Sequence, residues 1–205
     1  MQQSMLRSFP VEIPMAYLKV VVFIVCLIPL GLLGWDLFQD NLGANPIEEV
    51  IHQTGDWTLR FLLITLSLTP LRQLTGSGAW IQFRRMIGLY AFFYACLHLL
   101  SYVVLDQFFD WPAIIKDIIK HPYITLGFAA WLLLIPLAMT STKGMMRRLG
   151  RRWKSLHRLV YLIGILGVIH FAWLVKADYR EPIIYGLILC LLLGMRWLKR
   201  NTAGK

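Results

Sequence analysis

The chain has 205 residues, of which 58% are hydrophobic, and its mean hydropathy is +0.60. This apolar content exceeds that of water-soluble domains, so the sequence excludes an ordinary soluble fold and predicts an all-α integral membrane protein. The formal net charge of +10 does not require a nucleic acid partner. Basic loops of membrane proteins lie against anionic membrane lipid on the cytoplasmic side.

Six apolar segments are predicted to cross the membrane as helices, since a span needs about 20 residues. In chain order they are residues 17–35, 57–71, 86–105, 123–141, 156–175 and 182–198, within a single domain of residues 1–205. The first is too long for a signal-peptide core and lacks a small-residue cleavage site, so we expect a retained helix that bends at Pro29. Before the second span, the stretch PIEEVIHQTG predicts a short helix that caps the outer end of the bundle.

The distribution of charge predicts how the bundle is oriented. The connections at residues 72–85, 143–155 and 196–205 contain lysine and arginine but no acidic residue. All but one of the eleven acidic residues lie in the three alternate connections. Because positively charged connections stay on the cytoplasmic side, the sequence predicts a six-helix bundle with both termini in the cytoplasm.

The five histidines separate by their predicted depth in the membrane. His52 and His121 lie in outer connections, where a solvated surface position is expected. His98 on the third span and His170 on the fifth lie at similar depth, and an imidazole in hydrocarbon costs free energy unless it is bound. Two facing helices therefore predict one ligand clamped between these side chains. A b-type haem fits this arrangement because its iron takes two axial imidazoles, whereas zinc needs further ligands at the same depth.

Small residues accompany both of these histidines. Gly88, Ala91 and Ala95 precede His98 on one helical face, and the fifth span has Gly164 and Gly167. Such a strip either leaves a groove for a bulky ligand or lets bare helices approach, and the pattern leaves both interpretations open. The third histidine of the spans, His157, lies near the inner surface. On a straight helix its spacing of 13 residues puts it roughly 140° around from His170, so the two do not share a face.

Four stretches carry a resemblance to a known family. They are LGANPIEEVIHQTGDWTLRFLLITLSLTPLR (42–72), RRMIGLYAFFYACLHLLSY (84–102), HPYITLGFAAWLLLIPLAMTS (121–141) and LGRRWKSLHRLVYLIGILGVIH (149–170). Together they resemble the ferric reductase-like transmembrane domain family, and within it the haem-binding membrane subunits of bacterial periplasmic methionine sulfoxide reductase systems. The resemblance implies a location in the bacterial inner membrane and haem held between the third and fifth helices.

The resemblance also implies the ligands. Its outer histidine pair falls on His98 and His170, and its inner histidine of the fifth helix falls on His157. The fourth position falls on Arg84, with Arg85 beside it, and a guanidinium is not an iron ligand because it stays protonated. We therefore expect one haem b on the outer pair. The inner haem is either absent or held by His157 with a different sixth ligand, with Arg84 or Arg85 pairing a propionate.

The implied function is that of a non-catalytic electron-transfer subunit. Electrons would pass from a cytoplasmic flavin reductase or a membrane quinol, through haem, to a periplasmic molybdopterin-containing subunit that reduces methionine sulfoxide in proteins. The family is also associated with FMN, although this sequence has no flavin or NAD motif. Arg60 either holds a propionate or snorkels, and the basic segment 143–154 either docks an acidic donor or only sets topology. Two alternatives remain: a haem-free transporter or assembly factor, and a stand-alone transmembrane metal or quinone reductase.

Overall fold

The computed structural model describes residues 14–175 and 178–202, and this part of the chain consists of helices and their connections, without strands. The helices are α1 (Met15–Phe38), α2 (Pro46–Thr75), α3 (Ala79–Ser101), α4 (Trp111–Lys120), α5 (Pro122–Met139), α6 (Lys143–Leu149), α7 (Arg151–Leu156), α8 (Leu159–Leu174) and α9 (Arg180–Thr202). A π-helical turn, Tyr102–Asp106, extends α3. The prediction of an all-α fold is confirmed.

Five helical segments of the described chain are long and apolar enough to cross a membrane. They are Met15–Phe38, Ala79–Asp106, Pro122–Met139, Arg151–Leu174 and Arg180–Leu198. The protein is therefore a multi-pass membrane protein. The six-span topology with both termini in the cytoplasm stays a prediction, because α2, which contains the predicted second span, is not among the five.

Helix α2 is less apolar because protein, rather than lipid, surrounds much of it. It contacts α1, α3, α8 and α9. Its middle is largely buried, with Leu66 fully so. A helix enclosed in this way can carry polar residues that a lipid-facing helix cannot.

The prediction of a short cap helix over PIEEVIHQTG is wrong, because these residues form the first turns of α2. The Asn45 side chain accepts a hydrogen bond from the Glu48 amide at 3.4 Å, and Pro46 occupies the first helical position. No break follows before Gly76, which ends the helix in the left-handed region at φ 70°. Helix α2 therefore begins well before the predicted span and continues through it as one helix of 30 residues.

Helix α1 is attached to α3 through tyrosine hydroxyls next to the predicted proline site. Pro29 lies inside α1. Beside it, the Tyr94 hydroxyl accepts a hydrogen bond from the Leu30 amide at 3.1 Å and donates one to the Cys26 carbonyl at 2.9 Å. In an uninterrupted α-helix that amide and that carbonyl would bond each other. Tyr94 therefore inserts its hydroxyl into the backbone ladder of α1 and satisfies both groups.

The small residues near the histidines serve helix packing. A Cβ at Gly88 would lie 3.5 Å from Thr65 of α2, and Ala91 is fully buried. A Cβ at Gly164 would lie 3.2 Å from Leu189 of α9, and one at Gly167 would lie 3.5 Å from Leu59. Of the two interpretations of this strip, the structure supports close helix approach.

The predicted fifth span falls in the segment Arg151–Leu174, which is interrupted between two helices. Helix α7 ends at Leu156, and α8 starts at Leu159. His157 lies in the junction between the two helices, so a straight-helix argument about its angle to His170 does not apply.

Candidate functional site

The structure brings His98 of α3 and His170 of α8 together. Their ring centroids are 6.1 Å apart, and their planes are inclined by 73°. A histidine nitrogen binds a transition metal at about 2 Å, and the ring centre lies about 1 Å behind that nitrogen, so one metal between two imidazoles separates the centroids by about 6 Å. The observed separation fits two axial ligands of one iron.

Each of these imidazoles is anchored to the backbone of a neighbouring helix. His98 Nδ1 lies 2.9 Å from the Ile51 carbonyl of α2, and His170 Nδ1 lies 2.7 Å from the Tyr123 carbonyl of α5. Because a carbonyl can only accept, each Nδ1 carries the proton and donates it. Nε2 of each ring therefore keeps its lone pair, which is the protonation state that a metal ligand requires.

A glycine lies against each ring. A Cβ at Gly55 would be 3.1 Å from Nδ1 and Cε1 of His98, and a Cβ at Gly127 would be 2.9 Å from the same atoms of His170. In each case the glycine comes four residues after the residue whose carbonyl accepts the hydrogen bond. Neither glycine nor either carbonyl is among the residues predicted from the sequence.

The two halves of the site form an internal repeat that the sequence interpretation missed. Ile51, Gly55 and His98 of the first set correspond to Tyr123, Gly127 and His170 of the second, with a constant offset of 72 residues. The same offset relates Gly78, which precedes α3, to Gly150, which precedes α7. Helices α2 and α3 therefore form one unit, and α5 to α8 form the other.

Comparison with known proteins identifies the family. The model of the family described as ferric reductase like transmembrane component matches residues 54–168, which include His98 and most of the two units and end two residues before His170. The chain belongs to the ferric reductase-like transmembrane family. Among curated members, a protein of Xanthomonas euvesicatoria pv. vesicatoria (strain 85-10) is 57% identical over 191 residues, which cover 90% of this chain and 88% of that protein. A protein of Herminiimonas arsenicoxydans is 48% identical over 204 residues, covering 96% and 94%. Both are named protein-methionine-sulfoxide reductase heme-binding subunit MsrQ.

His157, the predicted inner histidine of the family pattern, is engaged by protein groups. Its Nε2 lies 3.0 Å from the Thr140 hydroxyl, which donates its own proton to the Pro136 carbonyl. His157 Nε2 therefore donates to Thr140. The Trp153 ring stacks on the imidazole, with centroids 4.0 Å apart, and Trp153 Nε1 donates to the Thr140 carbonyl at 3.0 Å.

No histidine is left to pair with His157. The other four of the chain are His98 and His170, which pair with each other, and His52 and His121, which lie on the surface as predicted. Each surface histidine lies near the carboxylate four residues before it, Glu48 at 3.9 Å and Asp117 at 3.6 Å. The second histidine pair of the family pattern therefore does not form in this chain.

Arginines occupy the inner region instead. In the register of the repeat, Arg85 corresponds to His157, and Arg85 is exposed. Arg84 lies within electrostatic range of His157 and of Arg196 on α9. Arg196 donates to the Leu66 carbonyl, and its guanidinium lies 4.9 Å from the centre of the Tyr161 ring. The end of the bundle around His157 is therefore cationic.

Arg60 is held by protein groups near the outer end of the bundle. Its Nε donates to the Tyr185 hydroxyl at 2.8 Å, and Nη2 lies 3.5 Å from the Asp56 carboxylate. The guanidinium also lies 5.0 Å from the Trp57 ring centre. These contacts link α2 to α9. Neither prediction for Arg60, that it holds a propionate or that it snorkels, included this link.

Proposed function

We propose that the chain is a haem b-binding electron-transfer subunit of the bacterial inner membrane, with His98 and His170 as axial ligands of one haem. The observation that carries the proposal is the pair of imidazoles 6.1 Å apart, each with Nδ1 bonded to a backbone carbonyl. Neutral imidazoles fixed in this way offer two Nε2 lone pairs to one iron. The names of the relatives, which describe heme-binding subunits, agree with this chemistry.

The proposed electron route runs from the cytoplasm to the periplasm. A bound haem supplies a one-electron carrier. The donor is a cytoplasmic flavin reductase or a membrane quinol, and the acceptor is a periplasmic molybdopterin-containing methionine sulfoxide reductase subunit that repairs oxidised proteins. We also include FMN as a second cofactor on the basis of the family resemblance, without assigned residues. The relatives' names support the assignment to a methionine sulfoxide reductase system.

The position of the histidines within the bundle fits release of electrons on the outer side. Tyr102 comes one helical turn after His98, and its hydroxyl donates to Asp117 of α4 at 3.0 Å. Helix α4 carries exposed Trp111 and lies in a connection that charge places outside the membrane. The proposed ligand pair is therefore close to the periplasmic end, where a soluble partner would accept the electron.

A spectrum of the detergent-purified protein tests the proposal directly. We expect a reduced-minus-oxidised b-type spectrum, with one haem per chain by pyridine hemochromogen assay on the same sample. Protein produced with ample haem supply that still lacks haem would contradict the proposal and favour the haem-free transporter or assembly factor. Haem that the purified periplasmic subunit cannot oxidise would favour a stand-alone metal or quinone reductase.

Replacing His157 with alanine tests the number of haems. Because the structure gives His157 no histidine partner, we expect His157→Ala to keep the haem content and low-spin spectrum of the wild type. Reduction by a cytoplasmic donor should slow, because the inner end is loosened there. Trp153 loses the ring on which it stacks, and Thr140 loses its hydrogen bond to His157. Haem content and stopped-flow reduction of the same sample measure both effects. Loss of about half of the haem, as for one of two bound groups, would instead show a second haem on His157.

A further inference from the structure

The two glycines of the repeat explain how a side chain reaches a carbonyl inside a continuous helix. The Ile51 carbonyl lies in α2, where residues four apart lie on the same face, and the side chain at position 55 would stand beside that oxygen. Glycine at this position leaves the oxygen open to an outside donor. Gly127 does the same for the Tyr123 carbonyl of α5. We call each glycine together with its carbonyl a carbonyl notch.

The contacts show how closely each ring fills its notch. The His170 ring is so close to Gly127 that an added Cβ would lie 2.9 Å from Nδ1 and Cε1 and 3.2 Å from Cγ. At Gly55 the corresponding distance to Nδ1 and Cε1 of His98 is 3.1 Å. Either ring would have to move if its glycine gained a side chain, and a shift away from the helix stretches the hydrogen bond that fixes Nδ1.

We propose that Gly55 and Gly127 are positioning residues that set the tautomer and orientation of the two haem ligands through their carbonyl notches. The inference rests on the proposed function, because it assigns a purpose to the fixed rings. It also predicts an order of effects. Gly127→Ala should perturb the site more than Gly55→Ala, since its Cβ makes the shorter contact. Neither glycine touches the iron, so both act only through the histidines.

Spectroscopy of the haem-loaded variants provides the first test. Gly127→Ala should shift the low-spin electron paramagnetic resonance g values, lower the haem content and let the reduced haem bind carbon monoxide, because the His170 bond weakens. Gly55→Ala should show smaller changes of the same kind. Gly194→Ala on α9 is the matched control, since a Cβ there meets nothing within 4 Å. Spectra of Gly127→Ala and Gly55→Ala that equal those of Gly194→Ala would overturn the proposal.

A comparison of melting temperatures without haem provides the second test. It applies also to a variant that yields too little protein with bound haem. If the clash is with the imidazole, Gly127→Ala should lower the melting temperature in the His170 background and cause no loss in a His170→Ala background. An equal loss in both backgrounds would mean ordinary helix packing and would overturn the proposal. If the wild-type protein contains no haem, only the proposed function is refuted. The stability comparison depends only on the contact between the ring and the glycine, so it still tests the inference.

Discussion

Replacing either His98 or His170 with alanine is expected to remove most of the bound haem. Each substitution deletes one of the two proposed axial ligands and leaves one imidazole to hold the macrocycle. The substitution also removes a ring that is anchored to α2 or α5, and it leaves a space between α3 and α8. We expect the low-spin b-type spectrum to disappear in both variants, with any residual haem high-spin. Absorption spectra and haem-to-protein ratios of purified samples measure the loss.

Surface histidines provide the matched control for this prediction. His52→Ala and His121→Ala delete the same side chain at exposed positions, so both should keep the wild-type spectrum. Retention of a full low-spin spectrum by His98→Ala or by His170→Ala would refute the ligand assignment. Equal loss of haem in a surface variant would mean that the assay reports folding rather than ligation.

Replacing Tyr94 with phenylalanine is expected to destabilise the protein by about 1–3 kcal/mol, the net contribution of two hydrogen bonds. The change keeps the ring, which is only 1% exposed, but removes the hydroxyl that serves both the Leu30 amide and the Cys26 carbonyl. The amide and the carbonyl would then have only each other as partners, and α1 would lose two hydrogen bonds to α3. Thermal unfolding in detergent should show the loss as a lower midpoint.

Two control substitutions and the alkylation of a buried cysteine make this stability test specific. Tyr90→Phe removes a single hydrogen bond, from the Tyr90 hydroxyl to the Phe23 carbonyl, so it should cost less. Tyr17→Phe changes an exposed ring and should cost nothing measurable. Cys26 is buried and Cys190 is exposed, so alkylation of Cys26 relative to Cys190 reports how often α1 opens. An unchanged alkylation ratio and midpoint in Tyr94→Phe would show that the inserted hydroxyl contributes little.

Much of the fold could be predicted because hydrophobicity and length determine where membrane helices form. All six predicted segments are helical. The prediction failed at the outer start of α2, where Asn45 and Pro46 begin a helix that continues without a break into the span. It also missed the interruption at His157 and Arg158 between α7 and α8. Both errors concern helix boundaries, which depend on local capping and on packing against other helices rather than on apolar content.

The proximity of His98 and His170 could be predicted from depth, but the groups that orient the two rings could not. His98 and His170 are polar residues in apolar helices, which is a signal that one sequence can give. The acceptors of their hydrogen bonds are backbone carbonyls, which any residue type provides, so Ile51 and Tyr123 leave no trace in the sequence. The glycines were detectable only through their constant spacing from the histidines, and few other positions of the repeat match.

The repeat also bears on how such a site can arise. Each unit, α2 with α3 or α5 with α8, supplies one imidazole, one accepting carbonyl and one glycine, which is half of the ligand set. Two copies of a single hairpin, joined side by side in the same orientation, would therefore complete a site that neither copy holds alone. Duplication and fusion of one hairpin gene is a sufficient origin for this arrangement. After fusion the halves are free to diverge, as they have where Arg85 stands in the register of His157.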